Sequence, residues 1–331
     1  MYDPKQKVLV TGGAGFTGSH LIQRLIADGY EVRSLVRDPR KLPENGEQQV
    51  EVVVGDIRDP ETCVQAVAGC DTIYHIAASF RSGRASAEEL TETNADGTRN
   101  MLDAAEQAGV RRFVHCSTIG VLGHIESPPA SEETPYNPCD DYQYSKMLGE
   151  KIVLDYARSG RVPATVVRPA SIYGEGDLRL LKLFKSIKNG MFVMIGTGEP
   201  HFHMVHVDDL ATGFMLAAAS EHAVGEVYII AGEHSISLNE LTCLIAEEVG
   251  SFAPRLRVPY APVYALSAAV EDVCKLVNID PPLYRRRVDF FHHNRSFEID
   301  KAREHLGYVP RVSVEAGVRR TAHWYLEQGL L

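Results

Sequence analysis

The chain is 331 residues long and carries a formal net charge of −10. That length can bury a core for one large domain or two smaller ones, and the acidic balance argues against nucleic acid as a partner. No apolar run reaches the roughly 18 residues of a membrane span. No cationic-then-apolar leader precedes Lys7. Six scattered cysteines (Cys63, Cys70, Cys116, Cys139, Cys243 and Cys274) lack metal or redox spacing. The reading is of a cytoplasmic protein with reduced, mostly buried thiols.

A short apolar run at 8–10 reads as a buried parallel strand. Gly12, Gly15 and Gly18 follow at Gly-x-x-Gly-x-x-Gly spacing. A helical face opens at once with Leu21, Ile22, Leu25 and Ile26, and Gly29 offers a stop. A strand turning through glycines into a helix N-terminus aims backbone N–H groups and the positive end of a dipole at an anion. At the head of a strand–helix–strand unit, a dinucleotide pyrophosphate is the expected anion, although a glycine-rich turn without a ligand has the same spacing. Strands are read at 31–36, 50–54, 71–77, 112–117 and 164–168, with helices at 61–68, 88–108 and 142–159 between them. This alternation predicts an α/β fold with a doubly wound parallel sheet.

Beyond Gly174 the rhythm loosens. Helices are read at 178–189, 208–219 and 237–249, a glycine-rich turn at 190–198 and a strand at 227–231. Residues 254–282 are apolar and proline-punctuated, and receive no element. The expected division is a dinucleotide-binding Rossmann domain at 1–176, rejoined by 202–232. Residues 177–201 and 233–331 form a smaller substrate-binding lobe.

Tyr142 and Lys146 stand four apart, on one face of a predicted helix. An ammonium near a phenol favours the phenolate and lowers the tyrosine pKa from about 10. Such a tyrosine can exchange a proton during hydride transfer. The same pair on a solvated helix surface does nothing, and Tyr144 is a nearby decoy facing another side. Ser117 and Thr118 end the fifth strand, at the carboxyl edge where open sheets bind ligands. A hydroxyl there can bond a substrate oxygen, or simply cap the strand end. His201, His203 and His206 do not share a strand face, and no metal site is read from them.

Together, the ordered motifs resemble the extended short-chain dehydrogenase/reductases, in particular the NAD-dependent epimerase/dehydratase family, over nearly the whole chain. Thr11-Gly-Gly-Ala-Gly-Phe-Thr-Gly18 is similar to that family's cofactor loop. Gly55-Asp-Ile-Arg-Asp59 resembles its adenine-binding segment, and His75-Ile-Ala-Ala78 the strand end beneath the cofactor. Asn94-Ala-Asp-Gly-Thr-Arg-Asn100 resembles its Asn-x-x-Gly-Thr helix, and Arg168-Pro169 through Asp177 the segment that closes over the nicotinamide. The resemblance implies Thr118, Tyr142 and Lys146 as the catalytic set. It implies cofactor contacts from Gly12, Gly15, Phe16, Thr17, Gly18, Arg37, Asp56, Ile57, Ala77, Ala78, Asn94, Ser117, Tyr142, Lys146, Arg168 and Pro169. Substrate contacts are expected from Ser79, Phe80, Arg81, Thr118, Tyr173 and His203. A homodimer is implied through the helices at 88–108 and 142–159.

Two departures bear on specificity. NAD-preferring members end the second strand in an acid that binds the ribose diol; Val36 stands there instead, followed by Arg37. Arg37, helped by Arg33, resembles the arginine that meets the 2′-phosphate of NADP, although Asp38 is placed to reach a ribose hydroxyl. NAD or NADP is the cofactor, with NADP favoured. Residues 78–82 and 281–291 resemble 3β-hydroxysteroid dehydrogenase-like members and hopanoid-associated sugar epimerases, whereas 195–209 read like nucleotide-sugar enzymes. Thr118 is followed by Ile119 and Gly120, not by the Asp-Glu pair of a dehydratase. The leading expectation is therefore a nucleotide-sugar oxidoreductase or epimerase. The alternatives are a steroid- or dihydroflavonol-type ketone reductase, and a non-catalytic NAD(P)-binding module.

Overall fold

The computed structural model describes residues 6–42, 50–80, 86–276, 279 and 285–331. The first half follows strand–helix alternation: β1 (Lys7–Thr11), α1 (Phe16–Ala27), β2 (Glu31–Val36), β3 (Val50–Val54), α2 (Pro60–Val67) and β4 (Thr72–His75). It continues with α3 (Ala87–Thr91), α4 (Gly97–Ala108), β5 (Arg112–Cys116), α5 (Asp141–Arg158), β6 (Ala164–Pro169) and β7 (Ser171–Tyr173). The second half holds α6 (Leu181–Lys188), β8 (Met194–Ile195), β9 (His201–Phe202), β10 (Met204–His206), α7 (Val207–Ala219), β11 (Val227–Ile230) and β12 (Ile236–Ser237). Last come α8 (Leu238–Glu248), β13 (Arg257–Val258), α9 (Tyr260–Leu276), α10 (Arg285–Asp289), α11 (Asp300–Leu306) and α12 (Val314–Glu327).

The main sheet is parallel throughout, in the order β11-β6-β5-β4-β1-β2-β3. Strand order reverses between β1 and β4, and the crevice beyond their carboxyl ends is where such sheets take ligands. Val8, Leu9 and Val10 are wholly buried, because helices cover both faces of a central parallel strand. On one face Leu9, Ile73, Phe113 and Val166 pack with α2, α4 and α5. On the other, Val8, Val10, Val114 and Val167 pack with α1 and α7. A third core joins Tyr173, Phe184, Phe202, Ile236, Leu241 and Tyr325 in the second half.

Three expectations need correction. Residues 88–108 are not one regular helix: a π-helical turn at Glu92–Asp96 separates α3 from α4. The proline-punctuated stretch contains α9, which is 17 residues long. Only Cys63 and Cys70 are buried; Cys139 and Cys243 are exposed. The tail residues Phe297, Ile299, Ala302, Leu306 and Tyr308 join the core of the sheet, so packing returns this segment to the first domain.

Candidate active site

The loop after β1 makes a seat for an anion. Gly12 adopts φ +74°, and a Cβ there would meet the Ala77 backbone nitrogen at 2.8 Å. A Cβ on Gly18 would strike the carbonyl of Gly12, so loop and helix approach only without side chains. Gly15 caps α1 with no side-chain hydrogen bond, and the first turn holds no acid. The first-turn N–H groups and the helix dipole therefore face a site with no competing carboxylate of the helix's own. Arg179 lies over the Phe16 ring at 5.4 Å, and His20 Nε2 meets the Glu175 carbonyl at 2.8 Å. Residues 174–179 thus close down on the start of α1. This open cradle fits a dinucleotide pyrophosphate, with Gly12, Gly15, Phe16, Thr17 and Gly18 around it.

Around the seat, the expected adenosine residues divide. Arg37 is exposed just past β2. Asp38 caps the next turn and binds Arg40 through both oxygens, at 2.9 and 3.1 Å. Asp56 likewise holds Arg58, at 3.1 and 2.9 Å, and this guanidinium keeps its carboxyl below the usual range. Ile57 is 5% exposed and packs where Gly97 lacks a side chain. Arg33 is corrected: its guanidinium turns away to the carbonyls of Ala66 and Ala68 and to Glu51, so it gives Arg37 no help.

The hydroxyl–tyrosine–lysine set comes from β5 and α5. Thr118 Oγ1 accepts the Gly120 N–H at 3.0 Å, which fixes its lone pair and leaves its O–H to donate outward. Tyr142 and Lys146 sit one turn apart on α5, capped by Asp140 accepting from Gln143 N. Phe80 stands edge-on to Tyr142, with ring centroids 5.0 Å apart. Lys146 is 2% exposed and donates to the Cys116 carbonyl at 2.7 Å. Burial pushes its ammonium below the usual lysine range, with Cys116 and Glu150 opposing the shift. Tyr144, the decoy, is 51% exposed.

Beneath this set lies a buried polar layer. The Thr98 hydroxyl donates to the Asn94 carbonyl at 2.8 Å and so must accept from His75 Nε2, 3.1 Å away. His75 Nδ1 is then an acceptor for Thr11 Oγ1 at 2.9 Å, while Thr11 also takes the Ala77 N–H. His75 is thereby a neutral, fully bonded tautomer, and burial drives its pKa down to about 3. The Asn94 amide clamps the backbone of Ser79 at 2.8 and 3.0 Å and reaches Ser145 Oγ at 2.9 Å. It therefore positions the 77–80 segment, including Ala78 and Phe80, against α5.

Several expected site residues are buried against protein partners. Arg168 is buried in an ion pair with Glu150, at 2.6 Å, and also binds the Glu132 carbonyl. Ser117 donates to the same Glu150 at 2.5 Å and is 3% exposed. Glu150 also receives the Tyr136 phenol at 2.7 Å. Sequence reasoning missed Glu150, although it continues the Tyr142–Lys146 spacing by one more turn. Pro169 is buried at the end of β6. Tyr173 is 2% exposed and belongs to the third core. His203 is buried, bonded to the Gly232 carbonyl at 2.9 Å, and touches a separate cleft of about 420 Å³. Arg81 lies outside the described residues, as do 281–284 of the segment likened to hydroxysteroid dehydrogenases. His201 meets Ser235 and His206 meets Glu175, so the three histidines do not converge.

A family model described as the NAD dependent epimerase/dehydratase family matches residues 8–231. The chain is 32% identical over 336 residues to the 3 beta-hydroxysteroid dehydrogenase/Delta 5-->4-isomerase of Mycobacterium tuberculosis (strain ATCC 25618 / H37Rv), covering 97% of this chain and 90% of that one. It is 29% identical over 330 residues to the 2-alkyl-3-oxoalkanoate reductase of Stenotrophomonas maltophilia (strain K279a), covering 95% of this chain and 98% of that one. The structure of a dTDP-glucose 4,6-dehydratase from Streptomyces venezuelae with NAD bound superposes with a TM-score of 0.78, at 30% identity, covering 97% of each chain.

Proposed function

The chain belongs to the NAD-dependent epimerase/dehydratase family of extended short-chain dehydrogenase/reductases, and on that premise we propose that it interconverts a secondary alcohol and a ketone on an apolar carbon skeleton. One observation carries this reading. Phe80, 52% exposed, stands against Tyr142 and gives the proton carrier an aromatic neighbour suited to an apolar substrate face. Both curated relatives described above are named for hydroxysteroid or alkyl-oxoalkanoate substrates. A cleft of about 660 Å³ in the second half adds support: Pro200, Val258, Pro259, Tyr260 and Phe291 line it. Its arginine, Arg257, is bonded to the Thr197 carbonyl and to Asn239. Thr118, Tyr142 and Lys146 do not line this cleft, and on this reading it takes the end of the substrate remote from the reacting carbon.

A bound nicotinamide supplies the hydride acceptor or donor. Tyr142 takes or returns the proton at its phenolic oxygen. Thr118 donates to the substrate oxygen through the O–H that its Gly120 contact leaves outward. Lys146, one turn further along α5, supplies the positive charge that favours the phenolate. Asn94 fixes the wall that carries Phe80.

A nucleotide-sugar substrate is the second reading. Gly196 and Gly198, at φ +78° and +74°, form the turn before β9 that resembles nucleotide-binding loops, and the solved relative is named for dTDP-glucose. Dehydration is not proposed, because Ile119 and Gly120 follow Thr118. NADP is the proposed cofactor, since Asp38 is occupied by Arg40 and Arg37 stands at the end of β2. Arg37→Ala is expected to weaken NADP binding by roughly 10- to 100-fold, as for a lost hydrogen bond to a charged group, and NAD binding little. Equal losses in calorimetric titration would remove that assignment. A homodimer through the outer faces of α4 and α5 is also proposed, and light scattering reads it directly.

The function test assays reduced and oxidised nicotinamides against 3-ketosteroids, 3β-hydroxysteroids, 2-alkyl-3-oxoalkanoates, and UDP- and dTDP-sugars. Turnover of an apolar ketone or carbinol, abolished by Tyr142→Phe, is the expected result. Turnover of the sugars alone, with cofactor retained through the cycle, would overturn it in favour of epimerisation.

A further inference from the structure

We propose that His124, Asp289 and His293 form a zinc-binding site that ties the loop after β5 to the second half of the chain. One donor atom from each of the three lies within 4.8 Å of the others. The His124 and His293 rings are 4.3 Å apart at 45°, and His293 Nε2 is 4.0 Å from Asp289 Oδ1. Zinc takes imidazole nitrogen and carboxylate oxygen at about 2.0–2.2 Å in a tetrahedron, so two ligands of one ion stand about 3.3–3.6 Å apart. Binding draws the donors together by rotation of the exposed His124 and half-buried His293 side chains.

The backbone presents all three donors. His124 follows Gly123, whose φ of +59° and close approach to Asn137 define the turn. Gly123 N donates to Gly120 O at 3.1 Å, and Asn137 N to Val121 O at 3.0 Å. Asp289 ends α10, and the N–H groups of His292 and His293 both return to its carbonyl, at 3.1 and 3.4 Å. That extra turn carries Asp289 and His293 on one side, four residues apart.

The donor chemistry selects the ion. Two imidazoles and a carboxylate suit zinc or its transition-metal neighbours, whereas magnesium and calcium take oxygen ligands. The Tyr260 phenol donates to Asp289 Oδ1 at 2.6 Å, an outer contact that orients a metal carboxylate. Tyr260 stacks on His292 at 4.1 Å, and both line the 660 Å³ cleft. The ion therefore sits at the edge of that cleft. Sequence spacing hides the site, because His124 and the Asp289–His293 pair lie in opposite halves of the chain.

The test is zinc titration of the chelator-treated full chain, followed by calorimetry and metal analysis. One zinc per chain is expected. His124→Asn, Asp289→Asn and His293→Gln each weaken binding at least tenfold, and Tyr260→Phe weakens it less. These partly exposed positions are expected to leave the circular dichroism spectrum unchanged. Cys139→Ser and Cys243→Ser, which remove the exposed thiols, leave binding intact. The proposal fails if the wild type takes up no zinc, if the His124→Asn/His293→Gln double variant binds as tightly as wild type, or if either cysteine variant abolishes uptake.

Discussion

Tyr142 and Tyr144 lie two positions apart on α5, yet Tyr142 is half-buried against Phe80 while Tyr144 faces solvent. Tyr142→Phe should lower turnover by about 10²–10⁴-fold, the usual contribution of general acid–base catalysis, with cofactor affinity nearly kept. Tyr144→Phe should change neither quantity; a dead Tyr144 variant would reverse the assignment. Thr118→Ala should cost about tenfold, the worth of one neutral hydrogen bond. Ser117 will not rescue it, because Glu150 already holds its hydroxyl. His115, stacked 5.4 Å from His75, is fully buried, and neither ring nitrogen has a partner among the described residues. Burial, reinforced by Lys146, keeps both rings neutral below the ordinary histidine range. The unfolded chain therefore binds more protons below about pH 6.5, and stability falls as pH falls, by about 1.4 kcal/mol per pH unit for each ring. His115→Leu should match or exceed wild-type stability at pH 7 and lose one proton from that slope. Urea unfolding at pH 7, 6 and 5 measures both. The place of Tyr142 and Lys146 one turn apart on a helix, and of Thr118 just past β5, was legible in the sequence. Burial was not: Arg168, Tyr173 and His203 belong to the interior through contacts with residues far along the chain.

At the scale of elements, the π-turn at Glu92–Asp96 and Gly149 of α5 fit each other. A Cβ on Gly149 would press on the Asn94 carbonyl, which is backbone and cannot swing aside. Gly149→Ala should therefore destabilise by about 1–3 kcal/mol through overpacking, despite the better helix propensity of alanine. Thermal unfolding checks it, and a neutral or stabilising result would show that the two helices can part. Apolar periodicity made β1 to β6 readable, because central parallel strands are apolar on both faces. The π-turn was not readable, since it depends on the clamp that Asn94 makes on Ser79 and Ser145. Helix α9 was missed because prolines were taken as breakers. Pro259 precedes its first residue and Pro262 lies in its first turn, where no N–H needs an intrahelical acceptor.

Across the whole molecule, one ionic knot joins four distant parts. Arg320 of α12 binds Glu175 at 2.6 Å and Asp208 of α7 at 2.7 Å. His206 meets Glu175 at 3.2 Å, and His20 of α1 lies 3.6 Å from Asp208. Although burial opposes it, bonds from His206, the backbone and Arg320 bring Glu175 down to about 2. A carboxylate depressed on folding adds stability above its unfolded pKa of about 4.3, and loses it as pH falls toward 2. With discount for partial exposure, Arg320→Met should cost on the order of 1–2 kcal/mol at pH 7, and the gap to wild type should close between pH 5 and 2. A gap constant with pH would place the effect in packing instead. The knot fastens residues 174–179 over the start of α1, so the same variant should loosen dinucleotide binding.

The outermost place of β11 sets an order of events during synthesis. It pairs with β6, but 57 residues separate the end of one from the start of the other (170–226). Until residue 230 leaves the ribosome, β6 is a bare parallel edge with open backbone donors and acceptors, and Glu132 waits for the Ile229 N–H that it will accept at 2.7 Å. A nascent chain halted in that interval is a template for strand addition by a neighbour. The apolar sequence that makes the finished sheet stable is, for that span of translation, an open edge for pairing.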